Sequence, residues 1–185
     1  MTEDERVPAG IDPTVPSVAR MYDFYLGGKD NFASDRAAAE KIIELVPSIK
    51  DIAKDNRDFL IRVVRMLAAA GIRQFVDVGT GLPTQQNVHQ VALEAAPESR
   101  VVYVDKDPIV LVHARALLAD NPSTVVINAD MTEPGSLLDH PELRAHLDLS
   151  KPVAVLLFAI LHFVPDAGAA AKIVASLSAP LVPGS

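Results

Sequence analysis

Cysteine is absent from this chain of 185 residues. Its absence excludes a disulfide, a thiolate nucleophile and a cysteine-ligated metal site. The five histidines do not replace it, because none of them forms a His-x-x-x-His or His-Glu-x-x-His pair, the spacings typical of a zinc site on a helix. We therefore expect no bound metal.

A surplus of basic residues is lacking as well. Lysine and arginine number 17 against 24 aspartates and glutamates, and the formal net charge is -7. Proteins that bind the phosphate backbone of DNA or RNA usually carry a basic surplus, although a local basic patch is sufficient. The charge balance therefore favours a protein without a nucleic-acid partner.

Long apolar runs are also missing. The longest covers residues 153–161 and is continued beyond His162 by two more apolar residues, far short of the roughly 20 residues that a transmembrane helix needs. The first ten residues are charged and lack the apolar core of a signal peptide. We expect a cytoplasmic protein that does not bind membranes, and the length suffices for one domain with a real core.

The first 70 residues predict an arm followed by three helices. Prolines block regular structure up to residue 16, and apolar periodicity then predicts helices that end before glycine or proline. These helices are expected over residues 18–26, 35–46 and 49–70, with Ser17, Ser34 and Ser48 as their N-caps. We interpret residues 1–70 as an arm and a helical cap or lid.

Residues 71–185 alternate between strands and helices. The predicted strands are Gln74–Val78, Val101–Val104, Thr124–Asn128 and Val153–Phe158. The helices that follow them are Gln85–Ala95, Pro108–Ala119 capped by Asp107, Pro141–Leu147, and a last one capped by Asp166. Such alternation predicts an α/β core with a parallel sheet and helices on both faces.

Polar residues stand at the carboxyl end of each predicted strand, where open α/β sheets bind ligands. The first strand ends in the turn Gly79-Thr80-Gly81, and glycines let the backbone turn tightly and approach a ligand closely. Asp105 and Asp130 end the second and third strands. One acid can accept two hydrogen bonds from a ribose diol and the other can accept one from an adenine amino group. The alternative is that both aspartates cap the turn or helix that follows.

A dinucleotide is the first rival ligand. Its G-x-G-x-x-G fingerprint has a third glycine where this chain has Thr84 after Pro83, and a Walker lysine is absent as well. A ligand with ribose and adenine but without phosphate suits these residues better. We therefore favour S-adenosylmethionine over a nicotinamide cofactor.

The chain resembles a bacterial family of S-adenosyl methyltransferases with the class I methyltransferase fold. The motifs that carry this resemblance are Arg20–Phe32, Asp77–Thr84, Val102–Asp105 and Leu161–Pro165. The resemblance implies a Rossmann-like fold in which Gly79, Thr80 and Gly81 flank the amino-acid portion of S-adenosylmethionine. It also implies that Asp105 holds the ribose and that Asp130, together with Met131, holds the adenine.

Further residues complete the candidate site. We add Asp77, Lys106 and Phe158 to the cofactor site, where Asp77 either touches the ligand or orients the glycine turn. We expect His162 to be the general base, with a packed histidine as the alternative. Asn56, inside the apolar stripe of the third helix, either bonds to nearby backbone or lies near the ligand with its neighbour Arg57. The candidates for the lid and substrate site are Tyr22, Tyr25, Gly28, Lys29, Asn31 and Arg57, with packing or a solvated turn as the alternative.

The family's sheet has seven strands in the order 3-2-1-4-5-7-6, and four strands are predicted here. We expect the order 3-2-1-4, a chain shortened at its C-terminus, and a fourth strand exposed at the sheet edge through which two copies could pair. The sequence thus predicts a methyltransferase that uses S-adenosylmethionine and acts on a small-molecule acceptor. The alternative is a module that binds S-adenosylmethionine without turnover.

Overall fold

Three helices open the chain, as the apolar periodicity predicts. In this computed structural model, the residues that the structure describes are 11–83, 86–118, 121–133 and 137–185. The first helices are α1 Val18–Tyr25, α2 Ala33–Leu45 and α3 Ile49–Ala69. Most of the predicted N-terminal arm lies outside the described residues.

None of the three predicted serine caps is confirmed, because Ser17 and Ser48 stand at the N-cap positions of α1 and α3 without a side-chain cap hydrogen bond, and the N-cap of α2 is Phe32 rather than Ser34. The Ser17 hydroxyl does not cap α1 but donates to the Asp107 carboxylate at 2.6 Å. Ser34 lies inside α2, and the carboxylate of Asp35 instead accepts a hydrogen bond of 2.7 Å from the backbone N–H of Phe32. Asp35 thus satisfies the backbone donor of the N-cap residue, which is the role of the acid in a capping box.

Four parallel strands form one sheet in the order β3-β2-β1-β4, which confirms the predicted order. They are β1 Gln74–Val78, β2 Arg100–Asp105, β3 Thr124–Asn128 and β4 Ala154–Leu156. Val76 in β1 lies between Val102 of β2 and Val155 of β4. Because all strands run the same way, their carboxyl ends lie together at one end of the sheet. The strand order and the parallel pairing confirm the predicted Rossmann-like fold.

The last strand is shorter than predicted. Residues 153–158 form a continuous apolar run, but only Ala154–Leu156 join the sheet, next to β1. Beyond them, Phe158 packs edge-on against Phe59 of α3, with ring centroids 5.5 Å apart. Ala159 then takes a left-handed backbone with φ of 47°, which turns the chain away from the sheet.

Among the described residues, four further helices flank the sheet. They are α4 Val88–Ala95, α5 Pro108–Leu118, α6 Pro141–His146 and α7 Ala167–Ser178. The predicted caps Asp107 and Asp166 are confirmed, since their carboxylates accept from backbone N–H groups at 3.0 Å and 2.6 Å. The helix predicted from Gln85 begins at Val88, and Gln85 itself lies outside the described residues. Within the described ranges, no helix is long and apolar enough to cross a bilayer.

Both faces of the sheet are covered by packed helices. On one face, Phe75 packs with Leu60 and Val64 of α3 and with side chains of α4 and α5. On the other face, Val76 and Val104 pack with side chains of α6 and α7. Successive side chains of β1 therefore point to opposite faces of the sheet, as in any strand. Because helices cover both faces, a ligand site is expected at the carboxyl ends of the strands.

Candidate functional site

A cavity of about 1200 Å³ lies at the carboxyl ends of the strands. The turns that follow the strands form one side of it, and helices α1 to α3 form the other. The structure brings all the residues predicted for the cofactor, and the predicted base, to this cavity: Asp77, Gly79, Thr80, Gly81, Asp105, Lys106, Asp130, Met131, Phe158 and His162. These residues come from four strand ends, which explains why they are far apart in sequence.

The glycine turn after β1 has a backbone that other residues rarely adopt. Gly79 and Gly81 have φ of 70° and 66°. A Cβ atom on Gly79 would come within 2.6 Å of the Ile160 side chain, whereas a Cβ on Gly81 would meet no atom within 4 Å. Gly79 is therefore required by close packing, and Gly81 presents open backbone to the cavity.

Asp105 connects the end of β2 to this turn. Its Oδ2 accepts a hydrogen bond of 3.0 Å from the Gly81 N–H, and its Oδ1 accepts one of 2.9 Å from the Asp107 N–H. Burial raises the pKa of Asp105, although these two hydrogen bonds lower it in part. Each carboxylate oxygen has two lone pairs, so both keep the capacity to accept from a ligand.

Asp77 is the most buried acid of the cavity. Burial raises its pKa to about 6, although the Thr80 hydroxyl, which donates to Oδ2 at 2.9 Å, and the charge of Arg57 both lower it. The hydrogen bond to Thr80 ties the end of β1 to the middle of the glycine turn.

An exposed ion pair joins the ends of β2 and β3. The Lys106 ammonium lies 3.0 Å from Oδ2 of Asp130. Oδ1 of Asp130 accepts from the backbone N–H and the hydroxyl of Thr132, at 2.9 Å and 2.8 Å. Burial opposes ionisation of Asp130, but the hydrogen bonds from Thr132 and Lys106 outweigh it and lower the pKa. Asp130 therefore stabilises its own turn, as the capping alternative predicts, while it also lines the cavity.

The helical side of the cavity contains Tyr22, Tyr25 and Arg57, three of the predicted lid residues. The Tyr22 hydroxyl donates to the Ala53 carbonyl at 3.1 Å and accepts from the Asn56 amide at 3.0 Å. Asn56 also lines the cavity, so it bonds to a side chain of the site rather than to nearby backbone.

Arg57 carries a positive charge that no carboxylate neutralises by direct contact within the described residues. Its Nη2 donates at 3.1 Å to the Gln86 carbonyl and at 3.1 Å to Oδ1 of Asn87, and its Nε is buried without a hydrogen-bond partner. A buried donor that lacks a partner costs free energy, so this guanidinium is suited to an anion. It is held at the side of the cavity where α3 meets the start of α4.

The remaining lid candidates, Gly28, Lys29 and Asn31, are not brought to the cavity. The buried carboxylate of Asp23 accepts from the Asp30 N–H at 3.0 Å and from the Asn31 amide at 2.9 Å. A Cβ on Gly28 would overlap that carboxylate, and Lys29 is exposed on the same turn. This part of the motif therefore closes a turn around Asp23, which is a structural role.

His162 is exposed at the cavity in a short 3-10 turn, Leu161–Phe163. Its ring lies 4.1 Å from the ring of Phe163, measured between centroids. The predicted base therefore lines the cavity with an exposed side chain.

The apolar wall of the cavity escaped the sequence analysis. Ile52 lies in the apolar stripe of α3, which predicts burial in the core, yet it is 50% exposed and lines the cavity. Ile42 of α2 is also exposed and lines the cavity. Apolar periodicity shows which face of a helix is covered, but not whether protein or ligand covers it.

Two solved structures resemble this one. A candidate methyltransferase from Thermobifida fusca YX shares 47% sequence identity and a TM-score of 0.93, over 97% of this chain and 68% of that chain. A protein of the DUF574 family from Streptomyces avermitilis MA-4680 shares 48% identity and a TM-score of 0.87, over 92% of this chain and 66% of that chain. Among curated proteins, no sequence matches this chain significantly.

A family model described as S-adenosyl methyltransferase matches residues 4–185, nearly the whole chain. The cofactor of that family is S-adenosylmethionine. The match agrees with the glycine turn, the acid at the end of β2 and the sheet order. This chain therefore belongs to the S-adenosyl methyltransferase family.

Proposed function

We propose that this chain transfers a methyl group from S-adenosylmethionine to a small-molecule acceptor, and that the cavity at the strand ends is where it does so. The observation that carries the proposal is the hydrogen bond between Gly81 and Asp105, which places an open backbone turn beside a carboxylate. A ligand with an amino-acid portion and a ribose needs these two features side by side.

The residues present suit the cofactor. Asp105 would accept from the ribose hydroxyls, and Asp130 with Met131 would border the adenine, with Lys106 and Phe158 beside them. Gly79, Thr80 and Gly81 would lie along the amino-acid portion, where the open space above Gly81 leaves room for it. Asp77 would act through Thr80, which it holds in place.

Arg57 is the residue that would bind the carboxylate of the amino-acid portion. Its only hydrogen-bond acceptors among the described residues are neutral oxygens, and it lowers the pKa of Asp77, so it lies on the glycine-turn side of the cavity. A carboxylate forms shorter and stronger hydrogen bonds with a guanidinium than neutral oxygens do. We therefore move Arg57 from the lid candidates to the cofactor site.

When bound, S-adenosylmethionine supplies a methyl group attached to a positively charged sulfur. Gly79, Thr80, Gly81, Asp105 and Arg57 would hold this donor so that its methyl group could pass to a lone pair of the acceptor, with the bonding electrons left on the sulfur. The protein mainly aligns the two reactants and keeps water out. If the acceptor atom is a hydroxyl or an amine, its proton leaves to a base, and His162 is the residue at the cavity that we assign to this step.

We also propose the division into a lid of residues 1–70 and a core of residues 71–185. The two are linked by the hydrogen bond from Ser17 to Asp107 and by the contacts of Arg57 with the start of α4. The second half of α3 packs in the core of the sheet through Leu60 and Val64, so α3 belongs to both parts. Helix α3 therefore anchors the lid to the sheet.

The test of the proposed function is turnover. We expect the protein to transfer the label from methyl-labelled S-adenosylmethionine to one component of a bacterial small-molecule extract, and the His162→Gln variant to be slower. Binding without label transfer to any component would favour the second candidate, a module that binds the cofactor without turnover. The matches cover 68% and 66% of the two solved neighbours' chains.

Self-association through β4 stays a prediction. β4 is an edge strand of the described sheet, and an apolar edge can pair with a second copy. Light scattering should then report a dimer, and a stable monomer would count against the pairing.

A further inference from the structure

We propose that the helical side of the cavity binds the methyl acceptor, and that the acceptor is a small molecule with an uncharged, largely apolar body. The inference rests on the proposed function, because it assigns the half of the cavity that the cofactor does not need. Three observations carry it: an apolar wall, the scarcity of free charge on that wall, and the size of the cavity.

The apolar wall is built from five large side chains that remain exposed. Exposed apolar side chains that stand alone are ordinary on protein surfaces, whereas a cluster lining one concavity indicates a binding site. Each of the five comes from a different part of the chain, from the arm to the turn after β4. They are Val15, Val18, Ile42, Ile52 and Phe163.

Free charge is scarce on this side. Among the described lining residues, α1 to α3 contribute two charged side chains, Arg20 and Arg57. Arg20 is buried and lies 2.7 Å from the Asp35 carboxylate, so its charge is already neutralised. Arg57 is the residue assigned to the cofactor. The arm adds Asp12, whose carboxylate accepts from Thr14. An anion in the acceptor body would lose its hydration here without gaining a counter-charge, and a cation would gain only the exposed Asp12 carboxylate of the arm.

The junction between the two halves carries the candidate base. Ile160 lies against Gly79 of the cofactor half, and Phe163 belongs to the apolar wall. His162 stands between them in sequence and lines the same cavity. A nucleophilic atom on an acceptor that rests on the apolar wall would therefore lie close to both the methyl donor and the imidazole.

The cavity is large enough for two ligands. Pockets that hold one drug-sized ligand have volumes of about 300–1,000 Å³, and this one has about 1200 Å³. A cofactor at the strand ends would leave the helical side to a second molecule. The chemistry of the wall then selects an apolar molecule rather than an ionic one.

The test uses N-phenyl-1-naphthylamine, an uncharged fluorophore that brightens in apolar surroundings. It is titrated into the protein saturated with S-adenosylhomocysteine. We expect saturable binding, weakened at least tenfold by Ile42→Lys and by Ile52→Lys, which place a charge on the wall. The matched control is Leu45→Lys, because Leu45 is on the same helix as Ile42, is 78% exposed and does not line the cavity.

Calorimetry with S-adenosylhomocysteine on each variant separates the outcomes. Unchanged affinity shows that the variant is folded and that the cofactor half is intact. Fluorophore binding that is absent, excluded by S-adenosylhomocysteine, or equally sensitive to Leu45→Lys would overturn the inference while the proposed function stood. Failure of the unmodified protein to bind S-adenosylhomocysteine would instead overturn the proposed function, and the acceptor assignment with it.

Discussion

The backbone N–H of Gly81 donates a hydrogen bond of 3.0 Å to the carboxylate of Asp105. The two residues are 24 positions apart and end neighbouring strands, β1 and β2. This hydrogen bond connects the glycine turn, whose backbone faces the cavity, to the carboxylate that can accept hydrogen bonds from a ligand.

Asp105→Ala should weaken S-adenosylhomocysteine binding by about 100-fold or more, because two hydrogen bonds to a carboxylate contribute about 1.5–3 kcal/mol each and 1.4 kcal/mol is a factor of ten. Titration calorimetry measures the loss. Asp139→Ala is the control, since Asp139 forms an exposed ion pair with Arg144 and does not line the cavity. Equal affinities in the two variants would refute the ribose assignment of Asp105.

The two glycines of the turn should respond differently to alanine. A left-handed alanine costs about 1–2 kcal/mol at either position, but at Gly79 the new methyl group also displaces the Ile160 side chain. Gly79→Ala should therefore lower the free energy of unfolding more than Gly81→Ala. Gly81→Ala should weaken S-adenosylhomocysteine binding, because its methyl group enters the space open to the ligand.

Urea denaturation and calorimetry on both variants check this pair. The account would be contradicted if Gly81→Ala bound S-adenosylhomocysteine as well as the unmodified protein does, or if Gly79→Ala were the more stable variant.

Asp77 should make folding more favourable at acid pH. Its pKa is raised from 3.8 to about 6 in the folded protein by burial, so the folded state binds the proton more tightly than the unfolded chain does. The stabilisation from this group is complete below pH 4 and is lost as the pH rises through 6, about 3 kcal/mol in all at 1.36 kcal/mol for each pKa unit.

Asp77→Asn removes this titration and keeps the side-chain shape. Because the unmodified protein loses this stabilisation with rising pH, the variant should gain in relative stability between pH 4 and pH 7. Urea denaturation of both proteins across this range gives the difference. A difference that does not change with pH would contradict the raised pKa.

Arg57→Gln should weaken binding of S-adenosylhomocysteine about tenfold to a hundredfold, the range expected when a hydrogen bond to a charged group is lost. Binding of 5′-methylthioadenosine, which has no carboxylate, should stay the same. Arg62→Gln is the control, because Arg62 lies on α3 but does not line the cavity. If Arg57→Gln weakened both ligands equally, Arg57 would be supporting the site rather than binding the carboxylate.

The sequence predicted the sheet and its polar edge well, for a simple physical reason. A strand buried on both faces, such as β2 from Val101 to Val104, is largely apolar, and its polar residues follow where the burial ends. Asp77, inside β1, is the exception. The positions of Asp105 and Asp130 follow from that rule. The glycine turn follows from the need for positive φ.

Other features depend on contacts between distant residues, which no local pattern shows. Its position in the sequence predicts that Ser17 caps a helix, but its hydroxyl donates a hydrogen bond to Asp107, 90 residues away. Phe158 extends an apolar run, but it leaves the sheet to pack on Phe59. Asn31 belongs to a motif that resembles a ligand site, but its amide closes a turn around Asp23.

One measurement tests the central claim most directly: a calorimetric titration of this protein with S-adenosylhomocysteine, repeated on Asp105→Ala. The account predicts binding of one molecule per chain by the unmodified protein, largely lost in the variant. No binding, or binding that Asp105→Ala leaves unchanged, would contradict the assignment of this cavity to the cofactor.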